Sequence, residues 1–246
     1  MKKLLLRSAV FSIVLTFPCG AISHSYIPRV EAMAAPAAEM DPHMSMTKLR
    51  PLQPGDKARA DAVVAAAKKA AEHYRDYRVA EADGYTIFMP DQHQNVYHFV
   101  RESADPETRG NFDPNRPPAL LYTKADGPNP DYKLVGVMYT APYGATEEEL
   151  NARVPLSIAQ WHEHINMCVP PQPEQRNWLM GDRQFGLSGS ITTAEACSAA
   201  GGHFRSHLSG WMTHVYPFET DSRKVWSAGM DDDHGMAHDS MPGMKM

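Results

Sequence analysis

The chain has only three cysteines in 246 residues and no apolar run of the roughly 18 residues that a membrane-spanning helix requires. It lacks the G-x-S-x-G elbow of serine hydrolases and the phosphate-cradling G-x-x-x-x-G-K, so neither reaction class has its local sign. No internal repeat is visible. Basic residues are outnumbered, 24 Lys and Arg against 29 Asp and Glu, for a formal charge of −5. Removing Lys2, Lys3 and Arg7 with the leader described below makes it 21 − 29 = −8, which argues against nucleic acid as a partner. With 43% hydrophobic and 22% charged residues, the middle of the chain can bury a core, and wholesale disorder and a coiled coil are excluded.

Residues 1–7 form a basic start, residues 8–17 are apolar, and the chain turns polar around Pro18, Gly20 and Ser23. This is the pattern of a secretory signal peptide over residues 1–23, with cleavage after Ala21, Ser23 or, at the latest, Ala34. The expected location is therefore periplasmic or secreted. Cys19 follows Phe17-Pro18, where lipoprotein processing wants small residues, and is read as part of the discarded leader. Cleavage after Ser23 would expose His24, whose amine and imidazole can chelate copper together. Cys168 and Cys197 then meet an oxidising compartment, and a disulfide is the leading expectation. The competing reading keeps Cys168 as a metal thiolate beside two histidines.

Residues 35–55 carry Ala, Pro, Met and Asp without a period and read as a flexible arm. A single domain is expected over residues 56–228. It opens with an amphipathic helix over residues 56–82, whose apolar positions include Val63, Val64, Ala67, Ala70, Ala71 and Tyr74, stopped at Asp83-Gly84. Strand-sized pieces follow at residues 85–89, 96–101, 119–123, 134–140, 156–164 and 211–218, with short helices at 147–152 and 192–199. No crossover helices separate the strands, so the fold class is α+β with a mainly antiparallel sheet. Residues 229–246 form a Met-, His- and Asp-rich tail that cannot pack a core.

Residues 60–170 resemble a group of uncharacterised secreted bacterial proteins. The likeness rests on Tyr74-Arg75-Asp76 through Asp83-Gly84-Tyr85, on Tyr97-His98-Phe99-Val100, on Pro118-Ala119-Leu120-Leu121-Tyr122 and on Leu134-Val135-Gly136-Val137-Met138-Tyr139. These are core and turn features. They imply export and a shared fold, and the group carries no assigned activity.

The densest polar cluster is Trp161-His162-Glu163-His164-Ile165-Asn166-Met167-Cys168. On a strand, His162, His164 and Asn166 share one face, and two imidazoles so placed can bind one metal. The string begins like the zinc-protease motif H-E-x-x-H, but Asn166 stands where the second His belongs, so that motif is rejected. His203, His207 and His214 form a second group; a Cys168–Cys197 bridge would bring it toward the first. His203 and His207 are expected in a loop leading into the strand that carries His214. A three-histidine site with an open position suits copper or zinc. His93 and His98 are further candidates, hydrogen-bonded structural histidines are the competing reading, and Glu163 could act as a base on metal-bound water if it faced the pair.

The ends supply an independent sign. Met40, His43, Met44 and Met46 in the arm, and Met230, His234, Met236, His238, Met241, Met244 and Met246 in the tail, alternate with small or acidic residues. Thioether sulfur selects Cu(I), and imidazole also takes Cu(II). The pattern resembles the Met- and His-rich segments of exported copper-handling proteins. The expectation is thus an exported copper-binding protein for sequestration or transfer; the alternative is a copper or zinc enzyme using the same histidines with an open coordination position.

Overall fold

A computed structural model of the chain describes residues 41–90, 94–101, 111–124, 131–171 and 183–227. The leader, Met40, His93 and the tail candidates from Met230 to Met246 lie outside the described residues. In chain order the elements are β1 (Met44–Met46), α1 (Asp56–Glu72), α2 (Tyr77–Ala82), β2 (Thr86–Ile87), β3 (Tyr97–Val100), β4 (Ala119–Lys124), β5 (Tyr132–Thr140), α3 (Glu147–Arg153), β6 (His162–Val169), α4 (Ala194–Ala199), β7 (His203–His207), β8 (Met212–Val215) and β9 (Trp226–Ser227). Every strand pairing among the described residues is antiparallel, as the α+β reading expects.

The sheet order is β1-β6-β8-β5-β4-β3-β2, with β7 beside β6 and β9 beside β8. One face is covered by helices. Ala60, Val63, Ala67 and Ala71 recur at intervals of three and four residues on α1 and are buried, and Val63, Ala67 and Ala71 pack with Phe99, Leu120, Tyr122, Val137, Tyr139, Trp161 and Val215 into the main core. The opposite face holds a smaller apolar group, Val96, Ala119, Leu121, Met138 and Tyr216. Both faces are therefore loaded, and the strands between them carry apolar residues at nearly every position, as in the burial of β4.

The helix expected over residues 56–82 is two helices. α1 ends at His73; Asp76 is extended and its carboxylate accepts from the Arg78 amide, restarting the chain as α2. The stop at Asp83-Gly84 is a Schellman closure: Gly84 has φ 87° and donates to Glu81, and Tyr85 donates to Ala80. Asp56 is the first helical residue. Its carboxylate accepts from the Gln53 amide and the Ser157 hydroxyl, tying the helix start to the turn before β6.

Residues 41–55, expected to be part of a free arm, are docked. Met44, Ser45 and Met46 pair with His164, Glu163 and His162, and the Thr47 amide donates to the Trp161 carbonyl. His43 is 3% exposed, its Nε2 lying 2.6 Å from the Gly189 carbonyl, while its own carbonyl accepts from Ile165. Three residues of Met-Ser-Met carry too short an alternation to register as a strand; the unpaired edge of β6 supplies the hydrogen bonds that make it one. β6 likewise starts later than expected, because residues 155–159 form turns closed by Ile158 and Ala159 donating to Pro155. It runs on to Val169.

Cys168 and Cys197 are joined in a disulfide with a Cα–Cα distance of 5.5 Å. Cys168 is thereby removed from the thiolate-ligand reading. The bridge fastens β6 to α4, whose cap is Thr193 accepting from Ala196. Residues 203–207, expected to be a loop, are strand β7, held against the far half of β6. Among the described residues, no helix is long and apolar enough to cross a membrane.

Candidate functional site: a row of imidazoles

The face of the sheet turned away from α1 carries four histidines side by side. In an antiparallel ladder, directly opposed residues share a face. His162 opposes Met212, and His214, two residues on, therefore lies on the same face and opposes Met138. His164 follows His162 by two, and His98 opposes Leu121 on that face. The ring centroids are 5.3 Å apart for His98 and His214, 5.2 Å for His214 and His162, and 5.6 Å for His162 and His164.

The row departs from a flat sheet. β3 and β8 are separated by β4 and β5, about 14 Å at the usual strand spacing. Yet His98 Nε2 and His214 Nε2 are 3.5 Å apart. The two side chains reach each other because the sheet curls toward this face. Gly136, level with His98 and Leu121, sits where β5 and β8 approach closely: a Cβ there would come within 2.5 Å of the Val215 carbonyl oxygen and 3.0 Å of the Tyr216 ring.

At 3.5 Å the His98–His214 contact is a long hydrogen bond. Two nitrogens bound to one ion at 2.0 to 2.1 Å stand about 3.3 to 3.6 Å apart at tetrahedral or trigonal angles. The separation matches that of two ligands on a shared ion. His162 and His214 at the centre are 1% and 2% exposed, and His98 and His164 at the flanks are half-buried. Burial drives the His162 pKa well below its ordinary value, with further lowering from His214, His164 and His98. His162 is therefore a neutral imidazole, the protonation state that ligates metals. Its Nδ1 is buried without a hydrogen-bond partner.

Among the described residues, no group of three or more His, Cys, Asp or Glu side chains is arranged to hold a metal ion as it stands. The imidazoles are neighbours and their donor nitrogens have not converged. The second torsion of histidine is broad and roughly two-fold, so turning a ring costs little.

Of the five histidines singled out in the sequence, the fold brings His162, His164 and His214 together and sends two elsewhere. His207 opposes Ile165 and places its Nδ1 3.0 Å from Glu163, on the other face of β6. Tyr143 stacks edge-on against that ring. His203 is exposed at the end of β7, opposite Val169. Glu163 accordingly faces away from His162 and His164, paired with His207. Asn166 leaves the row as well: its φ is 56°, and its amide donates to the Pro42 carbonyl.

His98 completes the row and comes from a strand more than sixty residues upstream of His162. The one sign available in sequence was its place inside the apolar strand Tyr97-His98-Phe99-Val100. His43, buried with its Nδ1 unpartnered, lies in the segment whose composition points to a flexible arm.

No family model matches this chain, and neither the curated proteins nor the solved structures include a match.

Proposed function

We propose that this is an exported metal-binding protein that holds copper at the imidazole row His98, His162, His164 and His214, and whose Met- and His-rich terminal segments capture or deliver the ion. The observation that carries the proposal is the gathering of four histidines from three strands on one curled face, with two nitrogens at the spacing of ligands on a common ion. A buried neutral imidazole with an unpartnered nitrogen is costly, by about 1–3 kcal/mol for an unsatisfied polar group. A bound ion satisfies that nitrogen. Imidazole takes both copper and zinc, and the soft thioethers of Met230, Met236, Met241, Met244 and Met246 favour copper. Export through the leader places the protein where copper is handled outside the cytoplasm, as sequestering agent or carrier. His203 and His207 are outside this ligand set. Glu163 is engaged by His207 on the opposite face and does not serve as base for water on an ion held at the row, which favours binding over catalysis.

The test is titration of the untagged, full-length exported protein with Cu(II), Cu(I) and Zn(II) against chromophoric chelators, repeated with His162 and His214 both changed to Asn. The expected result is one tight site that the double substitution abolishes while cooperative unfolding is retained. Unchanged tight binding in a folded double variant would overturn the assignment.

A further inference from the structure

Three of the four histidines in the row have a methionine directly across the ladder. Met44 opposes His164 and Met46 opposes His162 on β1; Met212 opposes His162 from the other side; Met138 opposes His214. His162, the most buried of the imidazoles, is flanked by two. Opposed residues hold their Cβ atoms about 4.5–5.5 Å apart on one face, within reach of a long thioether. Methionine makes up 15 of 246 residues, so four of them beside three histidines exceeds what composition supplies. Met138 and Met212 also pack into the smaller apolar group on this face, the ordinary gap-filling use of methionine in a core, but the methionines are unevenly shared between the two cores. The helix-covered core, much the larger of the two, is built of Val, Ala, Leu, Ile, Tyr, Phe and Trp and contains no methionine among the described residues.

We infer that the imidazole row is a mixed nitrogen and sulfur site for Cu(I), in which the thioethers of Met46 and Met212, the pair flanking His162, join the histidines as ligands. This rests on the metal-binding reading above and adds the oxidation state and the sulfur donors. Thioether sulfur is soft and selects Cu(I), whereas imidazole alone serves Zn(II) and Cu(II) as well. β1 has a role in the site: it is the edge strand that brings Met46 to His162. His43 anchors that strand through Gly189 and Ile165. Binding Cu(I) involves no change in redox state, so the protein need supply no electron.

The experiment uses the full-length exported protein with the tail residues Met230, His234, Met236, His238, Met241, Met244 and Met246 changed to Ser, so that the folded site is read alone. In this background Met46→Leu and Met212→Leu are introduced together, a swap that conserves volume. Cu(I), kept reduced by ascorbate without oxygen, and Zn(II) are each competed against a chromophoric chelator. The expected result is a fall in Cu(I) affinity of about tenfold or more with Zn(II) affinity unchanged within about twofold. Equal Cu(I) affinity in the Leu variant, or an equal loss of both ions in a folded variant, overturns the thioether inference and leaves the histidine site standing. Absence of binding in the unsubstituted background overturns both. Should the Leu variant fail to melt cooperatively, X-ray absorption of the Met-containing protein loaded with one Cu(I) decides: a sulfur shell around copper is expected, and a spectrum of nitrogen alone contradicts the inference.

Discussion

His162 concentrates the argument at the scale of single residues. It is enclosed, neutral and has a nitrogen without a partner, which is a poor arrangement for a residue kept for packing. Replacing it by Leu removes the unsatisfied group. The metal-free protein is therefore expected to gain stability, by about 1 kcal/mol, as it loses the metal site; thermal unfolding of the apo forms measures this, and a clear loss of stability would return His162 to a structural role. Asp56 is held by neutral hydrogen-bond donors. Hydrogen bonds from Ser157 and Gln53 hold its carboxyl below the usual carboxylate range. A carboxyl with a lowered folded value stabilises above its unfolded value and loses that contribution as pH falls through the folded one. The stability difference between the protein and Asp56→Asn should be present at neutral pH and vanish in acid, below the ordinary carboxylate range. Denaturant unfolding across pH checks it, and a pH-independent difference would contradict it.

At the scale of elements, the curl of the sheet lets His98 meet His214, and β5 and β8 approach closely at Gly136. Gly136→Ala would drive a Cβ into the Val215 carbonyl. The expected cost is about 1–3 kcal/mol, and metal affinity should weaken with it, because the strands that carry His214 and His98 must move apart. A neutral substitution would contradict the close approach. The central strands β3, β4, β5 and β8 were legible in sequence because each is an apolar run bounded by turn residues, and the short helix expected at 147–152 is α3, whose start is closed by a full capping box of Thr146 and Glu149. β1 and β7 were not. Met-Ser-Met is too short an alternation, His203-Phe204-Arg205-Ser206-His207 has a single large apolar residue, and both become strands only against β6. The break at residues 73–76 was missed because the alanine-rich pattern runs across it, and the capping by Asp76 decides the restart.

The same limit governs the site. His162, His164 and the strand of His214 could be read locally. The exclusion of His203 and His207 depends on the register of β7 on β6, and the inclusion of His98 depends on sheet order and curvature; both are tertiary facts with no local sign. The methionines opposite the histidines were unreadable for the same reason, since a cross-strand partner is fixed only once the ladder is known.

At the scale of the whole molecule, the disulfide between Cys168 and Cys197 spans 29 residues. Changing both to Ala should cost about 3.5 kcal/mol in the chain-entropy model, read as a lowered denaturant midpoint. An unchanged midpoint would mean that β7 and α4 are held to β6 by packing alone. The larger design is a folded face of imidazole and thioether, preceded by a Met- and His-bearing segment and followed by a Met- and His-rich tail. Elemental analysis of the untagged protein recovered from the exported fraction of copper-supplemented cells, intact and lacking residues 229–246, tests that design most directly. About one copper per chain should survive removal of the tail, and be lost when His162 and His214 are replaced. Copper that disappears with the tail alone, or is absent from both forms, would contradict a metal site in the fold.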